Sequence, residues 1–257
     1  MTANRNRTRT LLAAGGAVVV ALAVSGCGGS DVSDAPVEHR SFAFGGKALT
    51  IDAENSALTL VPADVKDVEV ARQVDGWVVL GSGPNASWKM SGDTLTLRLK
   101  CEALVSDCNA RNEVKVPRGV AVTVNGDNGS VTASGFDTPL TLDSDNGSVT
   151  VRDSSGPLRL TSDNGKISTA RITATSVHAH SNNGSVQLAL SAVPDLVDTV
   201  SDNGKIVIDL PASDTKYAVT ARSNNGSVDV DVPTSSNSAH VLKAHSSNGQ
   251  VTVRTVN

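Results

Sequence analysis

Three sets of residues in this chain have types and spacings that could do chemistry. The first is a column made of Asp127, Asp145, Asp163, Asn182, Asp202, Asn224 and Ser247, recurring every 18–23 residues. Carboxylates stacked about 5 Å apart could supply the oxygens of a calcium site, which takes six to eight. Turn chemistry on a solvated edge accounts for the same residues. Two members are amides and one is a hydroxyl, and Lys166 and Lys205 stand three positions after Asp163 and Asp202. The spacing also differs from the Gly-Gly-x-Gly-x-Asp nonapeptide of calcium-binding β-rolls, so no metal is assigned. The second set is His178, His180 and His245, which fall on outward strand positions without a thiol or carboxylate fixed beside them and read as surface histidines. The third set is the cysteines. Cys101 and Cys108 close a short loop, lack the tighter Cys-x-x-Cys spacing of a redox or metal pair, and in an exported protein read as a disulfide. No serine lies in a Gly-x-Ser-x-Gly elbow. No catalytic residue and no cofactor is assigned.

The remaining cysteine, Cys27, belongs to the leader. Arg5, Arg7 and Arg9 form a basic start, and Leu11 to Val24 is an uncharged run of small and apolar residues. Fourteen helical residues reach about 21 Å, short of a bilayer core of about 30 Å, so the run reads as a secretory signal rather than a span. It ends in Val24-Ser25-Gly26-Cys27, which resembles the lipobox of bacterial lipoproteins. The resemblance implies cleavage after residue 26, acylation of Cys27, and lipid anchoring at the outer face of the bacterial cytoplasmic membrane. Residues 27–40 are rich in Gly, Ser, Asp and Pro, the composition of a flexible tether. Losing three arginines with the leader takes the net charge from −4 to about −7. With no stripe of Lys and Arg, nucleic acid is not a partner class this chain suits.

What positions the column is a repeat. Asn-Gly steps recur at Asn128-Gly129, Asn146-Gly147, Asn164-Gly165, Asn183-Gly184, Asn203-Gly204, Asn225-Gly226 and Asn248-Gly249, spaced by 18, 18, 19, 20, 22 and 23 residues. Six positions before each Asn stand Val122, Leu140, Leu158, Val177, Val197, Val219 and Leu242; three after it stand Val131, Val149, Ile167, Val186, Ile206, Val228 and Val251. Apolar residues alternate with polar ones on both sides of each step, the pattern of half-buried strands. One corner of each unit is the Asn-Gly step, where Gly accepts positive φ and Asn tolerates it. The other holds Pro139, Pro157, Pro194, Pro211 or Pro233, and the extra residues of the later repeats fall there. Apart from the leader no stretch shows a sustained 3.6 period, so the mature protein reads as all-β, with the repeats over 122–257. A parallel β-solenoid with one coil per repeat fits best, because serines two positions before Asn (144, 162, 181, 201, 223 and 246) form a column of one environment. An antiparallel meander of Asn-Gly hairpins is the alternative. Six aromatic residues are too few for a bulky globular centre and suit thin stacked layers.

Residues 41–121 show the same style without the motif. Strands are expected around 48–51, 58–60, 68–70 and 94–99, with turns at Asp75-Gly76 and Gly92-Asp93. Both tryptophans and the Cys101–Cys108 pair lie here, so this region is expected to cap the first coil. The chain stops at Asn257 soon after the last repeat, which suggests an open edge at that end. The stretches Trp88 to Leu97, Val114 to Val120 and the Asp-Asn-Gly-Ser-Val repeats resemble the bacterial putative-adhesin family with β-strand repeats, domain of unknown function 4097, and its actinobacterial members in particular. The resemblance covers roughly residues 40–255 and implies a surface-exposed, non-enzymatic β-repeat protein. The expected partners are the membrane through the lipid anchor, and a cell-wall, glycan or envelope-protein ligand. The alternative is a carbohydrate-active enzyme on a β-helix. That reading needs acids and bases gathered in one groove, whereas the outward charges here change sign from repeat to repeat.

Overall fold

A computed structural model describes residues 32–256, so the leader, Cys27 and Asn257 lie outside the described residues. After a 3-10 turn at Val32–Asp34, β1 (Glu38–Phe42), β2 (Ala48–Glu54), β3 (Ala57–Ala63), β4 (Val68–Ser91) and β5 (Thr94–Pro117) build the N-terminal part. The repeats supply β6 (Ala121–Gly126), β7 (Val131–Ser134), β8 (Leu140–Ser144), β9 (Val149–Arg152), β10 (Leu158–Ser162), β11 (Ile167–Ala170), β12 (Ser176–Ser181) and β13 (Val186–Ala189). They continue as β14 (Leu196–Ser201), β15 (Ile206–Pro211), β16 (Ala218–Ser223), β17 (Val228–Asp231), β18 (Val241–Ser246) and β19 (Val251–Val256). Among the described residues no helix is long and apolar enough to cross a membrane.

The repeats stack as a parallel β-solenoid. Each coil gives its first strand to one sheet and its second to another, and equivalent residues pair without a register shift, as Leu158 does with Leu140 and Val177. The meander is excluded because every repeat strand pairs in parallel. Alternation fixes the core. Val122, Leu140, Leu158, Val177, Val197 and Leu242 in one sheet face Val131, Val149, Ile167, Val186, Ile206 and Val251 in the other, all at most 2% exposed. Burial of that kind stabilises by about 1.5–3 kcal/mol per side chain.

The coil order departs from the chain order at both ends. β18 and β19 pair with β14 and β15 on one side and with β16 and β17 on the other. The seventh repeat is thus inserted between the fifth and the sixth, and the sixth forms the outer edge. The edge expected at the chain's last repeat is therefore corrected. The extra residues that sequence places at the second corner, 212–217 and 232–240, are the segments that step over one coil and return. At the other end β2 and β3 lie between β6 and β7 and the two halves of β5, which pair with them through Thr94–Arg98 and Arg111–Pro117. β4 covers β5 in antiparallel register along nearly its whole length, and β1 covers part of β4. Among the described residues this makes nine coils, the outermost at the N-terminal end being β5 itself. Eight spacings of about 4.8 Å give a stack about 38 Å long.

Of the two turns expected before residue 100, Gly92-Asp93 is the two-residue hairpin turn, flanked by the pair Ser91 and Thr94. Asp75-Gly76 is not a turn: Gly76 lies within β4 opposite Cys108, and a Cβ there would meet the Asp107 carbonyl oxygen at 2.4 Å.

Candidate binding surface

The Asn-Gly corner is built by three stacked columns. The asparagines form a continuous ladder in which Nδ2 of one coil donates to Oδ1 of the next at 2.8–2.9 Å, in the order Asn225, Asn248, Asn203, Asn183, Asn164, Asn146, Asn128, Asn55. Asn55 is a member the repeat search missed, because Ser56 stands where the other copies have glycine. Inside the corner Ser144, Ser162, Ser181, Ser201 and Ser246 are fully buried. Ser162 Oγ accepts from Gly165 N at 2.9 Å and donates to the Gly147 carbonyl at 2.9 Å, so the hydroxyl satisfies its own turn and stitches it to the coil before, as those of Ser144, Ser181 and Ser201 also do. The glycines are required by this stacking. A Cβ on Gly147, Gly165 or Gly184 would sit 1.8–1.9 Å from the carbonyl oxygen of the glycine below. Among the Asn-Gly asparagines none has positive φ, and among their glycines only Gly129 does, at +153°. Glycine is needed at this corner for the close approach of stacked backbones, not for the positive φ expected from the sequence.

The carboxylate column lies beside this ladder, next to outward Asp52, Glu54 and Asp143. Burial, and after it the neighbouring charges of Glu54, Asp145 and Asp52, raise the Asp127 carboxyl above its ordinary value. Burial followed by Asp145 and Asp163 does the same for Asp143. Among the described residues no group of three or more His, Cys, Asp or Glu side chains is arranged to hold a metal ion. Asn182 Nδ2 instead donates to Asp163 Oδ1 at 2.9 Å, tying two column members together.

The histidines come together with cations in a way the sequence did not show. On the outward face of the first sheet one row runs Arg159, His178, Asp198, Lys243, Thr220. The adjacent row runs Thr161, His180, Val200, His245, Arg222. Insertion of the seventh repeat is what sets Lys243 and His245 two coils from His178 and His180 rather than three. Two shallow depressions of about 170 and 490 Å³ lie over these rows and share Asp198 and Val200. Arg159, Lys243 and Arg222 with three histidines therefore flank Asp198, and Asp143 follows Thr161 at the far end of the second row, on a protein whose net charge is −4. His180 Nε2 is fixed at 2.9 Å from Asn182 Oδ1.

The remaining features belong to the cap. Trp88 stacks under the Arg72 guanidinium at 3.9 Å and meets the Phe42 ring edge-on at 6.3 Å. Cys101 and Cys108 are joined by a disulfide, with Cα atoms 6.6 Å apart. Where the regular coils have a four-residue corner, β5 carries residues 99–110, paired with β4 as a projecting two-stranded ribbon.

The family profile described as Toastrack DUF4097 matches residues 105–257. The chain belongs to that family. The match begins within β5, so the Trp88 to Leu97 stretch and the coil of β2 and β3 lie outside it. Among solved structures, a "putative adhesin" from Bacteroides fragilis aligns with TM-score 0.52 and 15% identity, covering 86% of this chain and 97% of that one. A "putative adhesin" from Parabacteroides distasonis aligns with TM-score 0.49 and 14% identity over 87% of this chain and 98% of that one. At such identity the Bacteroides fragilis likeness is one of fold. No curated protein gives a significant match.

Proposed function

We propose that this protein is a non-enzymatic binding scaffold of the bacterial envelope, exported and held by lipid on Cys27 at the outer face of the cytoplasmic membrane. The Toastrack solenoid then presents the face of Arg159, His178, His180, Lys243, His245 and Arg222 to an anionic glycan or wall polymer. The observation that carries this reading is that basic face, assembled by the coil order on an otherwise acidic protein. A flat parallel sheet spaces its outward side chains at about 4.8 Å, a repeat that suits a polymer of repeating charge. The adhesin names of the structural neighbours agree with such a role. The test is retention of the purified mature protein on isolated cell wall, with and without a chelator. Retention is expected in both conditions and should fall at least about tenfold in Arg159→Glu with Lys243→Glu, since like-charge contacts cost several kcal/mol. Failure to bind wall, with selective recovery of one envelope protein, would replace the polymer with a protein partner. Mass analysis of Cys27 in the native membrane checks the anchor separately.

A further inference from the structure

Five of the large apolar side chains that the fold leaves exposed lie on one small element. Trp77, Val79, Leu80, Leu104 and Val105 are 48–82% exposed, all on the β4–β5 ribbon. Val79 pairs with Val105, and Trp77 lies opposite Asp107, so Trp77, Val79 and Val105 share one ribbon face. Leu80 and Leu104 stand at the middle of the ribbon, each more than four-fifths exposed. The Cys101–Cys108 bond closes the β5 loop on which Leu104 and Val105 sit. Exposing apolar groups there does nothing for the core, which the two sheets complete without them.

The place of the ribbon says what covers it. The Ala35 carbonyl accepts from Gln73 Nε2 at 2.9 Å, so the described chain begins against β4. Trp77 is four residues further along the same strand, about 13 Å away, and Leu80 at most about 23 Å. Cys27 precedes Val32 by five residues, at most about 18 Å of chain. A lipid on Cys27 therefore holds this corner of the solenoid at the bilayer surface. Trp77, Val79 and Val105 on one side and Leu80 and Leu104 on the other together offer on the order of 500 Å² of apolar surface, and neither side alone approaches the roughly 800 Å² per partner of a standard protein interface. A tryptophan beside leucines and valines, with Asp107 opposite Trp77 and Lys100 and Glu102 preceding Leu104, has the make-up of an element that sits at the boundary of headgroups and acyl chains.

We infer that the disulfide-braced ribbon is a second membrane contact, which inserts Trp77, Leu80 and Leu104 into the bilayer interface and fixes the orientation of the solenoid. This rests on the anchor reading above, and the experiment keeps the two apart. In the mature chain Cys27 is the one thiol outside the disulfide, so it can be coupled to a maleimide lipid in phosphatidylcholine vesicles whether or not the cell acylates it. Brominated acyl chains then report depth. Trp77 emission should shift to the blue and be quenched by the bromines. The contribution of Trp77 is isolated with Trp88→Phe, and independently as the difference between the wild type and Trp77→Phe. Leu80→Asp with Leu104→Asp should abolish both signals, while the circular dichroism of the solenoid stays unchanged. An unshifted, unquenched Trp77 on tethered protein overturns the inference. So does a shift that depends on protein density and not on bromine, because the ribbon would then be packing on a second copy. If the native protein carries no lipid on Cys27, the anchor reading falls while the tethered result still stands or fails on its own.

Discussion

Asn164, Ser162 and Gly165 show how one corner residue differs from the next in what it contributes. Asn164 exchanges exposed amide hydrogen bonds with Asn146 and Asn183, so Asn164→Ala should cost about 1 kcal/mol. Ser162 is fully buried and serves the Gly165 N–H and the Gly147 carbonyl at once. Removing the hydroxyl leaves a buried donor unpaired, and Ser162→Ala should cost about 2 kcal/mol. Gly165 has no room for any side chain, because its Cβ would lie 1.9 Å from the Gly147 carbonyl oxygen. Forcing the coils apart there should cost about 3 kcal/mol, the upper end for an overpacked site. Urea unfolding of the three variants should rank them in that order, and Asn164→Ala as the most damaging would contradict this account of the corner. The repeat was legible because all three residues recur. Their separate roles were not, since a motif in sequence cannot tell a tight turn from a tight stack.

At the level of elements, the order of the last two repeats follows from charge and burial. Arg254 on β19 lies between Asp209 on β15 and Asp231 on β17, with its Nε 2.7 Å from Asp209 Oδ1. Stacking β17 directly on β15 would instead set Asp231 beside Asp209, about 4.8 Å apart, and like charges so placed are destabilising. β19 also pairs with β15 through six residues and buries Val251 and Val253, whereas β17 has four residues, all exposed. The more apolar coil takes the interior and the more polar coil the edge. Cysteine pairs read this order directly. Val200→Cys with His245→Cys should oxidise to a disulfide, because the two positions pair in adjacent strands. Val200→Cys with Arg222→Cys should not, since two coils separate them by about 9.6 Å, beyond the reach of a disulfide. The reverse result would restore the sequential order. Lengthening of the repeats from 18 to 23 residues was the trace of this crossover in the sequence. Its meaning stayed hidden because a longer corner loop serves a sequential stack equally well.

Across the whole molecule, both ends of the solenoid follow one plan. The first coil in sequence (β2 and β3) and the last (β18 and β19) each lie one layer in from the end of the stack. Each of these two coils is paired on both sides. The exposed ends are made by coils tethered at both termini. At the N-terminal end β4 and β1 cover β5, whereas the outer coil of β16 and β17 shows Val228 and Val230 at 43% and 37% exposure. Asp229 and Asp231 alternate with these valines. An antiparallel pairing of two such edges that sets Val228 against Val230, or Val230 against its copy, brings aspartate against aspartate, which blunts association. Asp229→Ser with Asp231→Ser should therefore raise the dimer fraction in sedimentation at fixed concentration, and an unchanged distribution would show that the acids do not protect this edge.

Sequence alone determined the class of the molecule, an all-β repeat, and favoured stacked coils over a meander of hairpins, because period, alternation and the columns of Ser and Asn each depend only on residues close in the chain. The tertiary structure decided which coil touches which, and hence which outward residues are neighbours. That depends on long-range competition among coils of nearly equal pattern, settled by a few charges and by which coil buries more apolar surface. The basic face and the insertion of the seventh repeat inside the sixth follow from that choice of neighbours.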